Sequence, residues 1–214
     1  MLPYIVTILG AYLIGCSNMA LYLSRWKGVN LRAGGSKNLG ASNAFALMGW
    51  KAGLLVAVHD IGKAVLAVEL SKWIFPAVPL LGFIAGVACV LGHMFPFYLK
   101  FKGGKGVATV AAMILTLDPL CFFILAVIFL LLVAATRYVS LGSVICMMLY
   151  PIVTYKLATH GSIGFPVLFS FIVAALIIFM HRGNIERLRN HTENKISFSK
   201  KRGKAKGDTD GKKK

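Results

Sequence analysis

Acidic residues are scarce in this chain. Seven Asp and Glu stand against 24 Lys and Arg in 214 residues, a formal net charge of +17. From Met1 to Met180 the only acids are Asp60, Glu69 and Asp118. Such an excess calls for anionic surroundings. It is not read as nucleic-acid binding, because no RNA- or DNA-binding motif accompanies it and half of the Lys and Arg follow Met180. Anionic lipid headgroups and membrane topology account for it better. Cysteine is also sparse. Cys16, Cys89, Cys121 and Cys146 all lie in apolar runs without metal-ligand spacing, which argues against a zinc site or a disulfide framework. The N-terminus lacks a basic region and a small-residue cleavage pattern, so residues 3–24 read as a retained helix rather than a signal peptide.

What the chain does have is apolar length. Hydrophobic residues make up 57 % of it and its mean hydropathy is +0.74, values that belong to a multi-span membrane protein. The expected fold is all-α, a polytopic membrane helical bundle of about seven transmembrane segments: 3–24, 52–74, 80–92, 107–117, 120–135, 139–158 and 164–180. Eleven residues of helix reach only about 16 Å, so 107–117 is too short to cross a ~30 Å core unaided. Loops 25–50, 93–106 and 136–138 carry the positive charge. With the N-terminus outside and the C-terminus cytoplasmic, all three share the cytoplasmic side with the tail, as the positive-inside rule asks. Residues 1–194 form the membrane domain, and 195–214 a basic, disordered cytoplasmic tail.

The centre of the sequence is Gly92-His93-Met94-Phe95-Pro96-Phe97-Tyr98-Leu99-Lys100-Phe101-Lys102-Gly103-Gly104-Lys105-Gly106-Val107-Ala108-Thr109. Three lysines and three glycines fall between Lys100 and Gly106. Free N–H groups of a glycine turn, lysine charges and a following helix N-terminus together suit a phosphate. Such a loop is also an ordinary cytoplasmic turn, and it is not a Walker A loop, because Gly106 stands where Ser or Thr should follow the lysine. Four further polar groups fall on the same side of the membrane. Gly34 to Asn43 supplies Ser36, Asn38, Ser42 and Asn43, or else a capped loop. Asp60 and Lys63, three apart within a span, are a functional pair or helix-to-helix glue. Ser140 and Ser143 share a helix face or bond back to their own helix. His181 and Asn184 share another, with His181 the natural proton acceptor.

Together these segments resemble the bacterial acyl-phosphate:glycerol-3-phosphate acyltransferase family, commonly called PlsY. The resemblance covers essentially 1–196. It rests on Gly34-Gly35-Ser36-Lys37-Asn38-Leu39-Gly40-Ala41-Ser42-Asn43, on Gly92 to Thr109 and on His181-Arg182-Gly183-Asn184-Ile185-Glu186-Arg187-Leu188. It implies acyl transfer from acyl phosphate to the 1-hydroxyl of glycerol 3-phosphate, giving lysophosphatidic acid and phosphate in the bacterial cell inner membrane. Neither cofactor nor metal is implied. By the same resemblance Lys105, Ser143, His181 and Asn184 act catalytically. Ser36, Asn38, Ser42, Asn43, Asp60, Lys63, Lys102, Gly103 and Gly104 bind substrate.

The chain departs from the family pattern at three places in the first motif. Leu39 replaces a proline, Ser42 a threonine, and Ala46 an arginine; Arg32, Lys37 or Lys51 could supply the missing cation. Near the N-terminus, Cys16-Ser17-Asn18 stands where the family has Ser-Ile-Pro. Two other readings remain open from sequence. One is an organic-phosphate permease with Asp60 and Lys63 along its path, although no inverted repeat is evident. The other is a catalytically impaired paralogue acting as a membrane scaffold.

Overall fold

The structure is a computed structural model, and it describes residues 1–158 and 164–196. The expectations for loop 159–163 and for the tail from 197 onward lie outside the described residues. Among the described residues every regular element is helical: α1 (Leu2–Cys16), α2 (Met19–Trp26), α3 (Ala41–Met48), α4 (Trp50–Ile74), α5 (Leu80–Met94), a short 3-10 turn (Phe97–Leu99), α6 (Val107–Leu117), α7 (Pro119–Thr136), α8 (Val139–Leu157), α9 (Phe165–Met180) and α10 (Arg182–Arg189). By length and composition, four segments suffice to cross a bilayer: Leu2–Trp26, Leu80–Leu99, Pro119–Thr136 and Val139–Leu157. Helices α9 and α10, bent by 58° at His181, make a fifth if taken together. Of the seven expected segments, 52–74 is the long but charge-bearing α4, and 107–117 is the short α6.

The first expected span is broken in two. Asn18 is extended, with φ −137°, and its Oδ1 accepts the Leu21 N–H at 2.9 Å, so α2 starts afresh with its own cap. The break frees the Ser17 carbonyl, which accepts from the Lys63 ammonium at 2.9 Å. An apolar window that hydropathy reads as one helix thus hides a polar joint.

Small residues set how closely the helices approach. Ala11, Ala64, Ala67, Ala85, Ala88, Cys89 and Ala112 form one buried cluster shared by α1, α4, α5 and α6, the packing mode available where lipid removes most of the hydrophobic drive between helices. A second cluster of larger side chains, among them Met94, Met113, Tyr150 and Ile177, joins α5 to α6, α8 and α9. A third lies beneath the loop between α2 and α3, with Leu31 and Leu39 packed on Ala20, Leu23 and Val56. Leu39, at the family's proline position, is therefore a core residue.

The connecting loops gather at one end of the bundle. Arg32 Nη2 donates to the Lys102 carbonyl at 2.5 Å, tying the first motif to the glycine loop. The chain beyond α10 returns across the same end, where the Ile196 N–H donates to the Arg137 carbonyl at 2.9 Å. At the opposite end Phe83, Leu117, Asp118, Tyr150 and Pro166 surround a smaller cleft.

Candidate active site

The glycine loop is built from its own carbonyls. After α5 the chain passes through the 3-10 turn and then Lys100 and Phe101, both left-handed at φ +53° and +58°. It folds back so that Gly103 N–H donates to the Met94 carbonyl at 2.9 Å and Gly104 N–H to the His93 carbonyl at 3.1 Å. Gly103 and Gly104 therefore do not supply the free N–H groups expected of an anion nest, because both are already spent. Their glycine identity has a steric reason. A Cβ on Gly103 would press on Pro96, and one on Gly104 on the His93 ring and the Leu39 carbonyl. Gly106 takes φ +84° and begins α6 without a side-chain cap, which leaves the first-turn N–H groups of α6 with no intrahelical acceptor.

Lys105 is what the folded loop presents. Its ammonium lies 2.5 Å from Asn184 Oδ1. Asn184, 4 % exposed, in turn donates through Nδ2 to Glu193 Oε1 at 2.8 Å. Arg187 Nε donates to the other Glu193 oxygen, also at 2.8 Å. Four side chains thus form one chain of charge-assisted bonds. Burial pushes the Lys105 ammonium down to about 8; Glu193 opposes that fall and Arg187 adds to it. His181 sits at the bend, 2 % exposed, with Nδ1 at 2.8 Å from the Ile177 carbonyl. A carbonyl can only accept, so Nδ1 carries the proton and the neutral ring keeps its lone pair on Nε2.

Lys105, Asn184 and Arg187 border a cavity of about 510 Å3, while His181 and Glu193 lie outside its lining. From the first motif Ser36, Lys37 and Asn38 line it; from the glycine loop, Lys105; from the third motif Arg182, Asn184 and Arg187. Three segments far apart in sequence therefore meet around one basic hollow.

Other expected site residues lie elsewhere. Asn43, 2 % exposed, is spent on its own loop. Its Nδ2 donates to the carbonyls of Leu31, Asn38 and Gly34, and its Oδ1 accepts from Ser36 N–H. These bonds make its amide a brace for the shape of the loop. Ser42 is exposed on α3, outside the cavity lining. Ser143 Oγ donates back to the Val139 carbonyl at 2.9 Å and does not line the cavity either. Lys102 is exposed, its carbonyl bound by Arg32.

Asp60 and Lys63 also fall outside the cavity. Both are buried in α4, and the three protons of Lys63 are matched by Asp60 Oδ1 at 2.7 Å, the Ser17 carbonyl at 2.9 Å and His93 Nδ1 at 2.7 Å. No Lys63 proton is left over in this arrangement, and the pair acts as a scaffold that holds α4 to α5 and to the joint after α1. The scaffold backs onto the site, because His93 is the residue that a Cβ on Gly104 would strike.

Comparison with known proteins identifies the family. A family model described as glycerol-3-phosphate acyltransferase matches residues 5–191. The chain belongs to the glycerol-3-phosphate acyltransferase family. A relative of that name from Chlorobaculum tepidum is 38 % identical over 94 % of this chain and all of its own length. Glycerol-3-phosphate acyltransferase 2 of Bacillus cereus is 41 % identical over 89 % of this chain and 94 % of its own. The crystal structure of PlsY (YgiH), an integral membrane glycerol 3-phosphate acyltransferase, matches in its glycerol 3-phosphate form. Its TM-score is 0.83 and its identity 30 %, over 91 % of this chain and 96 % of that one. Its lysophosphatidic acid form matches with a TM-score of 0.80 at 29 % identity. The protein is thus an integral, multi-pass membrane acyltransferase of phospholipid biosynthesis.

Two site residues of this acyltransferase escaped the sequence reading. Glu193 lies beyond the third motif, near the end of the segment read as the membrane domain, and only the chain's return brings it to Asn184 and Arg187. His93 lies in the central motif, where no role was given to it. Its proximity to Gly104 yields a prediction. Gly104→Ala must displace a ring already held by Lys63, an overpacking cost of about 1–3 kcal/mol. The expected result is a melting temperature lower by roughly 5 °C together with a loss of activity, read by thermal unfolding in detergent and by phosphate release.

Proposed function

We propose that the protein transfers a fatty acyl group from acyl phosphate to the 1-hydroxyl of glycerol 3-phosphate, releasing lysophosphatidic acid and inorganic phosphate. We further propose that it does so from the cytoplasmic side of a bacterial inner membrane, with the N-terminus outside. The observation that carries the reading is the cavity in which Lys105, bonded to Asn184, faces Ser36 and Asn38. The basic loops gathered at that end support the orientation, and the bacterial relatives support the compartment.

The chemistry asks little of the protein. Acyl phosphate is an activated mixed anhydride. The 1-hydroxyl oxygen attacks its carbonyl carbon, the new ester C–O bond forms, and the C–O bond to phosphate breaks with its electron pair leaving on phosphate. The hydroxyl proton goes to the departing phosphate or to His181 Nε2. Lys105 neutralises developing charge, and Ser36, Asn38 and Asn184 orient the reactants. Cysteine is absent from the three motifs, so direct transfer without a thioester intermediate fits the residues available.

The test is phosphate release by purified protein in detergent, given palmitoyl phosphate with and without glycerol 3-phosphate. Release that depends on the acceptor, with lysophosphatidic acid formed in equal amount, is expected; acceptor-independent release refutes the reading. A pH profile follows from the buried lysine. Lys105 must be charged to hold a phosphate, and its free-protein pKa is about 8. The kcat/KM profile is therefore expected to fall as the pH rises above that value. The kcat limb lies at higher pH, because a bound phosphate stabilises the ammonium. Equal basic limbs in the two profiles would count against the assignment.

A further inference from the structure

Lys37 is a non-glycine residue held at φ +57°, in the left-handed region that a Cβ disfavours. The backbone on either side is pinned. Ser36 N–H donates to Asn43 Oδ1 at 2.9 Å, the Asn38 carbonyl accepts from Asn43 Nδ2 at 3.0 Å, and Lys37 N–H itself donates to the Gly34 carbonyl at 3.0 Å. The loop therefore fixes where this exposed lysine starts, and Lys37 borders the cavity together with Ser36 and Asn38.

The charges around the cavity show what Lys37 adds. Arg187 is paired with Glu193, and Arg182 lies over the Phe179 ring at 4.4 Å. Lys105 is engaged with Asn184. None of the ion pairs among the described residues involves Lys37. The other two cations near the first motif are turned to other work: Arg32 binds the Lys102 carbonyl, and Lys51 lies over the Trp50 ring at 5.8 Å. On the acyltransferase reading, on which this inference rests, two phosphate-bearing substrates must share the hollow. Lys105 balances only part of that charge, and Glu186 at the lining adds another negative group.

We propose that Lys37 is a specificity-determining residue of this acyltransferase, its ammonium pairing with a substrate phosphate other than the one that Lys105 holds. The phosphate comes from the acceptor or from the donor, and the kinetics tell them apart.

The decisive variant is Lys37→Gly in the full-length detergent-purified protein. Glycine suits φ +57° better than lysine does, so a purely structural role predicts equal or higher thermal stability with unchanged KM. The expected result is a KM raised about tenfold for one phosphate substrate, with kcat changed less than twofold and stability kept. A rise for glycerol 3-phosphate assigns Lys37 to the acceptor; a rise for palmitoyl phosphate assigns it to the donor. Lys37→Arg is expected to recover most of the affinity. A second reading is independent of turnover: the concentrations of glycerol 3-phosphate and of palmitoyl phosphate that half-maximally raise the melting temperature. For one of the two this concentration is expected to rise about tenfold in Lys37→Gly. If neither KM nor either midpoint moves, the proposal is overturned. If the unaltered protein shows no acceptor-dependent turnover, the acyltransferase reading fails by itself, and the anion titrations still decide Lys37.

Discussion

Replacing Lys105 with alanine is expected to lower kcat/KM for acyl transfer by about 10²–10³, as removal of one preorganised electrostatic donor does in other enzymes. The geometry explains why the effect is large. The loop that carries Lys105 is stitched to the end of α5 by the Gly103 and Gly104 N–H bonds, so the ammonium is delivered to one place. Burial withdraws it from water, which strengthens its field on a phosphate and also brings its pKa down to about 8. Alanine removes the charge and leaves Asn184 Oδ1 without the donor now 2.5 Å away. Arginine is not expected to rescue, because a planar fork cannot occupy the position of a compact ammonium packed against Asn184. Asn184→Ala should cost less alone, and the double variant little more than Lys105→Ala, since the two act as one unit. Rates measured with palmitoyl phosphate and glycerol 3-phosphate decide it; a loss of less than tenfold would remove Lys105 from the chemistry.

The second large effect is on stability. Lys63→Met is expected to lower the melting temperature in detergent by about 10 °C, from a cost of about 3–5 kcal/mol for breaking a buried ion pair. Asp60 and Lys63 are 3 % and 5 % exposed and lie 2.7 Å apart. Methionine fills similar space but abandons Asp60, the Ser17 carbonyl and His93 together. The double variant Asp60→Asn with Lys63→Met is expected to regain a good part of the loss, because the orphaned charge goes with its partner. Activity should fall with Lys63→Met as well, through His93 and Gly104 rather than through substrate contact. A variant that melts normally yet has lost affinity for glycerol 3-phosphate would instead restore Lys63 to the binding site.

Much of the helix layout could be read from apolar runs and their breakers. Segment 107–117 coincides with α6, and 120–135 and 164–180 differ from α7 and α9 by a residue or so at the start or end. Asp118-Pro119 marks the start of α7 because Asp118 caps the Cys121 N–H and proline suits the first turn. The joint at Ser17-Asn18 was not legible. Nothing in an apolar window announces that a lysine 46 positions later needs a carbonyl. Of the candidate residues taken from motif chemistry, Lys105, Asn184, Ser36 and Asn38 line one cavity, and His181 lies outside its lining. Asn43, Ser143, Asp60 and Lys63 came from the same kind of evidence, but they lie outside that lining and bond within the fold. A polar side chain in a motif looks identical in sequence whether its bonds are free or already used.

Composition and order alone determined that this chain is a helical membrane protein with a lysine–glycine loop and two polar motifs, because hydropathy and backbone-permissive residues act locally. Tertiary structure alone decided which polar atoms remain available. That depends on partners brought from distant segments, as with Glu193 on Asn184, the Ser17 carbonyl on Lys63, and the α5 carbonyls on Gly103 and Gly104. Hydrogen-bond capacity is finite, and only the folded chain shows where it has been consumed.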